Sequence, residues 1–394
     1  MILEYINKDS SRETIEINLN KEISDEWINI DSSSKKEFIK EFLPAFISGQ
    51  KIVLFDKNHK KLLKFHEEND LNSFEGMSEV NNLAQLLFFT SGSSGFPIGA
   101  FKSRDNILEE VEVLKELLKD FKIKRVVVSV PFVHIYGILA GLLLPLHLSN
   151  VSLIVKDDFL PYELLQEAAY DDTLIITTPI FIKALSKLNE NVQLKKSLFI
   201  SSTGPLHLDD ITQFQDRYKT TLLQLFGSTE TGGIAYKFST NKRWKSLKHV
   251  SITNTQERLT LSSPFISKYL LEKNIIELKQ PFQTQDIVDI SGDEFTLLGR
   301  VNKLIKIAGK RISALEIESI IETIENVQKA VVTLIYKKEL LRSEQILITL
   351  QAKEKIERQF IKDKISQNFG TLTIPFRVEY VETIHYSAMG KVIF

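Results

Sequence analysis

The sequence predicts an α/β protein in two parts: a large N-terminal domain, 1–301, and a small α+β C-terminal domain, 302–394. Three observations predict it. From Ile107 to Phe226 the apolar residues alternate between helical spacing and short β-branched runs, which argues a parallel sheet covered by helices on both faces. After Gly233 short strands with turn residues take over, up to Leu298, as in an antiparallel portion. Beyond a polar break at Arg300-Val301-Asn302-Lys303 the pattern becomes strand, helix, strand, strand, helix, strand.

Residues 1–83 carry the fewest signals. Lys51 to Phe55 reads as a strand, Ser34 to Leu43 as a helix, and Asn58 to Ser78 as loop. Ala84 to Phe89 is an apolar run and reads as a buried strand. Ser103 can cap a helix with Asp105 in its first turn, and Ile107, Val111, Leu114, Leu117 and Leu118 follow at helical spacing. Arg125 to Val130 is a strand, Leu139 to Leu148 a helix, and Val151 to Val155 a strand. The alternation then runs through Tyr162 to Ala169, Thr173 to Thr177, Pro179 to Lys187, Ser197 to Ser201, Leu208 to Tyr218 and Thr221 to Phe226. In the C-terminal part the strands are Leu304 to Ile307, Ala330 to Tyr336, Gln345 to Leu350 and Arg377 to Val381. The helices there are Ser313 to Glu325 and Glu354 to Phe369.

The bulk composition excludes several classes. Lys and Arg total 50 against 51 Asp and Glu, a net charge of −1. No global basic field therefore points to nucleic acid or an anionic membrane. With no cysteine in 394 residues, disulfides, zinc–thiolate sites and cysteine nucleophiles are excluded. That is compatible with the cytoplasm, the location expected. The N-terminus lacks the pattern of a signal peptide. The longest apolar run, Ile138 to Leu146, is too short to span a bilayer.

In open α/β sheets ligands bind beyond the carboxyl ends of strands, and the chemistry-bearing residues follow strand ends. Thr90, Ser91, Gly92, Ser93, Ser94 and Gly95 open a hydroxyl–glycine loop running to Gly99. Glycines admit close approach of backbone to a ligand, and clustered N–H and hydroxyl donors form an anion-binding concavity. A Ser/Gly linker is the other reading, although a linker does not normally follow a buried strand directly. The common phosphate-loop motif is absent, since Gly95 is not followed by Lys. A second loop, Phe226-Gly227-Ser228-Thr229-Glu230-Thr231-Gly232-Gly233, can offer donors to a phosphate and one carboxylate to magnesium, a hard cation that prefers oxygen. Further strand ends carry Pro131 to Gly137, with His134 and Tyr136, and Ser201 to Leu206, with Thr203, Gly204 and Pro205. Alone, the first is most often structural and the second a turn.

These segments, in order, resemble the AMP-forming adenylating enzymes: acyl-CoA synthetases, nonribosomal peptide adenylation domains and luciferases. The first loop resembles their Thr-Ser-Gly-Ser-Ser/Thr-Gly-x-Pro-Lys-Gly, with Ile98 in place of the lysine and Lys102 as the nearest replacement. The second resembles Tyr-Gly-Ser-Thr-Glu. Thr203-Gly204-Pro205 resembles Gly-Ala-Pro. Thr284-Gln285-Asp286 resembles Thr-Gly-Asp, with Gln285 for the glycine, and Gly299-Arg300 matches the family's Gly-Arg. Gly390-Lys391-Val392 resembles the closing Gly-Lys-Ile/Val, although the Pro that leads it is His385 here. Residues 1–83 correspond to a reduced first subdomain.

The resemblance implies that Phe226 stacks on adenine, beside Thr203, Gly204 and Pro205, and that Asp286 and Arg300 hold the ribose. Thr229 would donate to the α-phosphate, with Gly227 and Ser228 beside it, and Glu230 would bind magnesium. His134 and Tyr136 would border the acyl pocket. Lys391 would reach both carboxylate and α-phosphate, carried by a mobile C-terminal domain hinged near Asn302. The implied reaction is ATP-dependent activation of a carboxylic acid, aryl or fatty, to an acyl-adenylate. Transfer to coenzyme A or to the phosphopantetheine of an acyl carrier protein would follow. Pro131 to Pro145 and Gly227 to Trp244 look most like small ligases of aryl-polyene or fatty-acyl pathways. An aromatic acid joined to coenzyme A, as in menaquinone synthesis, is a second choice. The departures at Ile98 and Gln285 also fit a nucleotide-binding scaffold or regulator without ligase activity.

Overall fold

The computed structural model describes residues 2–20, 22–30, 34–54, 64–65, 68–91, 97–190, 192–206, 208–239, 241–301, 304–307, 310–336, 344–369, 376–386 and 392–393. The chain divides into two compact units. The first is built from Met1–Ile252 and Leu261–Phe282, the second from Thr253–Thr260 and Gln283–Ser387.

In the first unit six strands run parallel, in the order Ile2–Ile6, Ser152–Val155, Arg125–Val128, Thr173–Thr177, Ser197–Ser201 and Thr221–Ser228. Gly232–Phe238 then turns back antiparallel to the last of them, and Trp244–Ser246 pairs antiparallel to it in turn. A parallel sheet with both faces covered demands continuous apolar strands. Alternate residues serve opposite faces: Val126, Val128, Leu174 and Ile176 enter one core cluster, Val127, Ile175 and Phe199 the other. The predicted alternation of helix and strand is thus the sheet's construction, and it aligns the strand ends on which the motifs lie.

A second sheet in this unit starts with three parallel strands, Ile28–Ile30, Ile52–Leu54 and Leu86–Ser91. Pro97–Lys102, Tyr269–Leu271 and Ile275–Glu277 extend it antiparallel. The described ends of the loop expected over Thr90 to Gly99 are instead paired strand: Ser91 pairs with Pro97 and Thr90 with Ile98. Pro97 opens its strand, a position where the missing N–H is tolerated. Gly99 is a packing residue, since a Cβ there would lie 2.8 Å from Leu87 Cδ1. Gly92, Ser93, Ser94 and Gly95 lie outside the described residues.

The N-terminal 50 residues are bolted to this frame. Helix Lys35–Ser48 is capped by the Ser34 side chain, which accepts from Glu37 N, and it ends at Gly49 with φ 90°. Its apolar face stacks Phe38 on Phe42 and Phe42 on Phe46, each pair 5.4 Å apart. Buried Lys35 donates to the carbonyls of Val128 (3.2 Å) and Lys156 (2.7 Å), at the ends of two neighbouring strands. Asp157 accepts from the Lys35 amide and from the Tyr5 hydroxyl, both at 2.7 Å. The helix expected at Leu139 to Leu148 is instead a π-helical segment, Gly137–Leu143, followed by one α-turn, Leu144–His147. Gly137 there packs so closely that a Cβ would lie 2.0 Å from the Pro131 carbonyl oxygen.

In the second unit Phe282–Ser291 pairs antiparallel with Glu294–Arg300, and Leu304–Ile307 with Lys310–Ser313, a strand the pattern did not predict. Val327–Tyr336, Glu344–Ala352 and Phe376–Val381 form a three-stranded sheet. Helices Ala314–Glu322 and Arg358–Phe369 share one core with it through Ile317, Ile321 and Ile361. Carboxylates on the first helix accept from strand amides: Glu318 from Val332 (2.8 Å) and Glu322 from Ala330 (3.1 Å). Among the described residues no helix is long and apolar enough to cross a membrane.

Candidate functional site

The second predicted loop is the best-defined part of the site. Strand Thr221–Ser228 hands over to Gly232–Phe238 through a tight turn at Ser228–Thr231, with a register shift at Phe226/Gly227. The turn is closed by its own hydroxyls. Ser228 N donates to Thr231 Oγ1 (3.1 Å), Thr231 N donates to Ser228 Oγ (3.2 Å), and the two hydroxyls lie 2.9 Å apart. This reciprocal closure, a side-chain mimic of a backbone turn, leaves Thr229 and Glu230 at the tip, both half-buried. Gly227 is obligatory, because a Cβ would sit 2.3 Å from the Gly232 carbonyl oxygen. The half-buried Phe226 ring meets Trp244 at 5.4 Å and 45°, and Lys237 Nζ stands 4.6 Å over that Trp244 ring. Sequence reading did not single out Trp244, whose strand pairs with the turn's second arm.

Behind the turn lie three polar groups that sequence reading did not place there. Lys102, wholly buried, donates to the carbonyls of Phe265 (2.5 Å) and Glu230 (3.2 Å). Glu110 accepts from the Gly233 amide at 2.8 Å. Asn106, in the capping box of helix Arg104–Leu117, donates to the Pro264 carbonyl. Burial pulls the Lys102 ammonium below its ordinary value and pushes the Glu110 carboxyl above its own, and each charge opposes the other's shift. The signal that could have found Glu110 is its place on an apolar stripe with Ile107, Val111 and Leu114, where a carboxylate is rarely buried without a task. These contacts also overturn the expectation that Lys102 replaces the lysine missing at Ile98. Its ammonium is spent on two carbonyls in the interior and does not reach a pyrophosphate.

Thr203 follows the strand Ser197–Ser201 and has φ 86°. This is the left-handed region, costly for a β-branched residue. Ser202 Oγ anchors the segment by donating to the Leu225 carbonyl (3.0 Å), next to Phe226, while Gly204 and Pro205 are exposed. His134 is half-buried, and its carbonyl accepts from Ile138 N. The Tyr136 hydroxyl is buried and shared between the carbonyls of Ile200 (2.8 Å) and Thr177 (3.2 Å), with burial raising its ionisation well above the ordinary range. Its polar end ties two strand ends together.

In the second unit Asp286 and Arg300 face each other across the strand pair, with Arg300 Nε 2.8 Å from Asp286 Oδ1. Asp286 is buried and its amide donates to Thr284 Oγ1 (3.0 Å). Gln285 stands exposed in extended strand, so it replaces a glycine without distorting the segment. The backbone of Thr90 and Ser91 closes the strand Leu86–Ser91. Asn302 and Lys391 lie outside the described residues. Among the described residues no cluster of three His, Cys, Asp or Glu could hold a metal by itself. A single half-buried carboxylate at Glu230 suits magnesium, which is usually bound by one or two carboxylates together with substrate phosphates.

Comparison with known proteins agrees with this arrangement. A family model described as AMP-binding enzyme matches residues 49–260, more than half of the chain. A 4-coumarate–CoA ligase of Halorhodospira halophila is 27% identical over 200 residues, covering 48% of this chain and 49% of that protein. A 3,4-dihydroxybenzoate–(aryl-carrier protein) ligase of Bacillus anthracis is 21% identical over 336 residues, covering 83% and 77%. The chain spans about half the length of the first of these relatives. ATP-bound MatB from Rhodopseudomonas palustris superposes with a TM-score of 0.77 at 16% identity, over 95% of this chain and 88% of that one. MenE from Bacillus subtilis, solved with an acyl-adenylate, gives 0.77 at 17% identity, over 93% and 86%. At such identities the structures establish the fold, a mixed α/β architecture shared with adenylating enzymes. With its strand-end turns and its matched segment taken together, the chain belongs to the AMP-binding enzyme family.

Proposed function

We propose that this protein uses ATP to activate a carboxylic acid. A carboxylate oxygen attacks the α-phosphorus, the bond to the leaving diphosphate breaks, and acyl-adenylate and pyrophosphate result. A thiol then attacks the acyl carbon, gives its proton to solvent and releases AMP, leaving a thioester. The observation that carries this reading is the Ser228–Thr231 turn. Closed by Ser228 and Thr231, it sets Thr229 and Glu230 in succession at its tip, close in sequence to the aromatic ring of Phe226.

In this reading Phe226 stacks on adenine with Thr203, Gly204 and Pro205 alongside, and Thr229 donates to the α-phosphate. The segment from Thr90 to Gly95 supplies donors to the outer phosphates. Glu230 would hold magnesium, whose contribution is to neutralise phosphate charge. The Asp286 carboxylate, oriented by Arg300, accepts from the ribose hydroxyls. His134 borders the acid. Lys391 is the cation that meets carboxylate and α-phosphate, brought in by a C-terminal domain that turns about Asn302. Little acid–base work is needed in the first step, and catalysis is positioning plus charge stabilisation.

Relatives named for coenzyme A and for an aryl-carrier protein support a thiol acceptor of either kind, with an aryl or fatty acid as substrate. Pyrophosphate–ATP exchange across a panel of aryl and fatty acids tests the first step. Thioester formation with coenzyme A or a phosphopantetheinylated carrier protein tests the second. Exchange absent from the whole panel, with ATP still bound, would favour the non-catalytic scaffold. Lys391→Ala is expected to slow exchange by roughly 10²–10³-fold, the scale for one lost charge stabiliser. Near-normal exchange in that variant removes Lys391 from the mechanism.

A further inference from the structure

We propose that Lys102 and Glu110 are positioning residues, a buried cation and carboxylate that grip the Ser228–Thr231 turn from behind. Lys102 holds the carbonyl of Glu230, and Glu110 holds the amide of Gly233. The inference rests on the reading of Glu230 as the residue facing magnesium and nucleotide.

Neither side chain is explained by stability. Taking an ammonium and a carboxylate out of water is costly, and apolar residues of similar volume usually serve a core at least as well. What the two groups obtain is the placement of two backbone atoms, one at the tip of the turn and one on its second arm. The Glu230 carbonyl accepts from Lys102 Nζ (3.2 Å) and from Ser267 N (2.8 Å). Glu110 Oε1 accepts from Gly233 N (2.8 Å). The turn is shaped to admit this carboxylate. A Cβ on Gly232 would lie 2.5 Å from Glu110 Oε2, and one on Gly233 would lie 2.9 Å from Oε1. Gly232 also lies at φ 69°, and a Cβ on it would meet Phe265 Cβ at 2.7 Å, so Glu110 is one of the groups that hold this place to glycine.

The grip also connects two motifs. Lys102 is the last residue of the strand Pro97–Lys102, whose first residue closes the hydroxyl–glycine hairpin. Glu110 lies on the helix that follows directly, Arg104–Leu117. Displacement of the hairpin arm would therefore pass through Lys102 to the carbonyl of Glu230, so the two phosphate-facing segments share one register.

The test uses the full chain carrying Lys102→Met, Glu110→Gln and both together. ATP binding is titrated calorimetrically in excess magnesium and again in EDTA. Each variant is expected to bind ATP more weakly in magnesium, by about tenfold for Lys102→Met, the scale for losing a group that orients a metal ligand, and to lose clearly less in EDTA, with Glu110→Gln the least affected. Exchange should fall roughly 10²-fold, because displacements near 1 Å are costly to catalysis. Equal weakening in both titrations would mean general structural damage and overturn the proposal, as would unchanged binding in both. Thermal unfolding identifies a variant that fails to fold, and Glu110→Gln, which keeps an acceptor for Gly233, is the milder substitution for that case. Wild-type protein that binds magnesium–ATP but exchanges no pyrophosphate would end the ligase reading while leaving the calorimetric comparison decisive.

Discussion

At the scale of single residues, the strain at Thr203 is the most informative departure. A β-branched residue at φ 86° sits where glycine would rest without cost. Backbone strain of this kind typically amounts to about 1–3 kcal/mol. Replacement by glycine gives part of it back through the looser unfolded chain. Thr203→Gly is therefore expected to stabilise the protein by about 1 kcal/mol, read from the midpoint of denaturant unfolding. A lower midpoint would mean that the threonine side chain is worth more than its backbone costs. The sequence marked this position as one where a glycine was replaced, but the sign of φ came only from the fold. Lys102 shows the opposite limit. Its spacing from the glycine loop suggested an exposed cation at a phosphate, because nothing local announces that Phe265, 163 residues on, will supply the carbonyl that buries it.

At the scale of elements, the Ser228–Thr231 turn depends on Gly227, whose Cα faces the Gly232 carbonyl. A methyl group there forces the two arms apart, and overpacking of this sort costs about 1–3 kcal/mol. Gly227→Ala should lower the unfolding midpoint accordingly and reduce exchange more than Thr203→Gly does. A variant as stable and active as the wild type would show that the arms can separate freely. Strands and helices of the parallel sheet were legible because their periodicities are set by burial on two faces. Tight turns hold their shape through hydroxyls three residues apart, which sequence displays without saying whether they bond. The π-helical segment Gly137–Leu143 was not legible, since its apolar pattern resembles any buried helix and its glycines are fixed by contacts with Pro131 and Val128.

For the molecule as a whole, the N-terminal segment is tied into the first unit's sheet. Its helix reaches the parallel sheet through Lys35, whose ammonium burial pulls down to about 8. In the unfolded chain it stays near the ordinary lysine value of 10.4. Between those values the unfolded chain binds more protons, so stability rises with pH across that window. The stability of wild type relative to Lys35→Met should accordingly grow by roughly 3 kcal/mol between pH 7.5 and 10.5, at 1.36 kcal/mol per pKa unit. Denaturant unfolding of both proteins at several pH values measures it, and a constant difference would mean that Lys35 is not buried as a cation. The rhythm of elements suggested a boundary at 301/302, whereas the second compact unit takes in Thr253–Thr260 and begins again at Gln283. The chain's attachment at its start was not readable, because Asp157 and the strand-end carbonyls that receive Lys35 and Tyr5 lie far along the sequence.

The contact between Phe226 and Trp244 has a practical side. The chain holds only 2 tryptophans, and the other, Trp27, donates its indole N–H to Asn81. A purine sliding onto Phe226 would alter the surroundings of Trp244 and leave Trp27 undisturbed. In a Trp27→Phe background the protein's own emission is then expected to change on addition of nucleotide, with no label attached, if Phe226 is the ring that the purine meets.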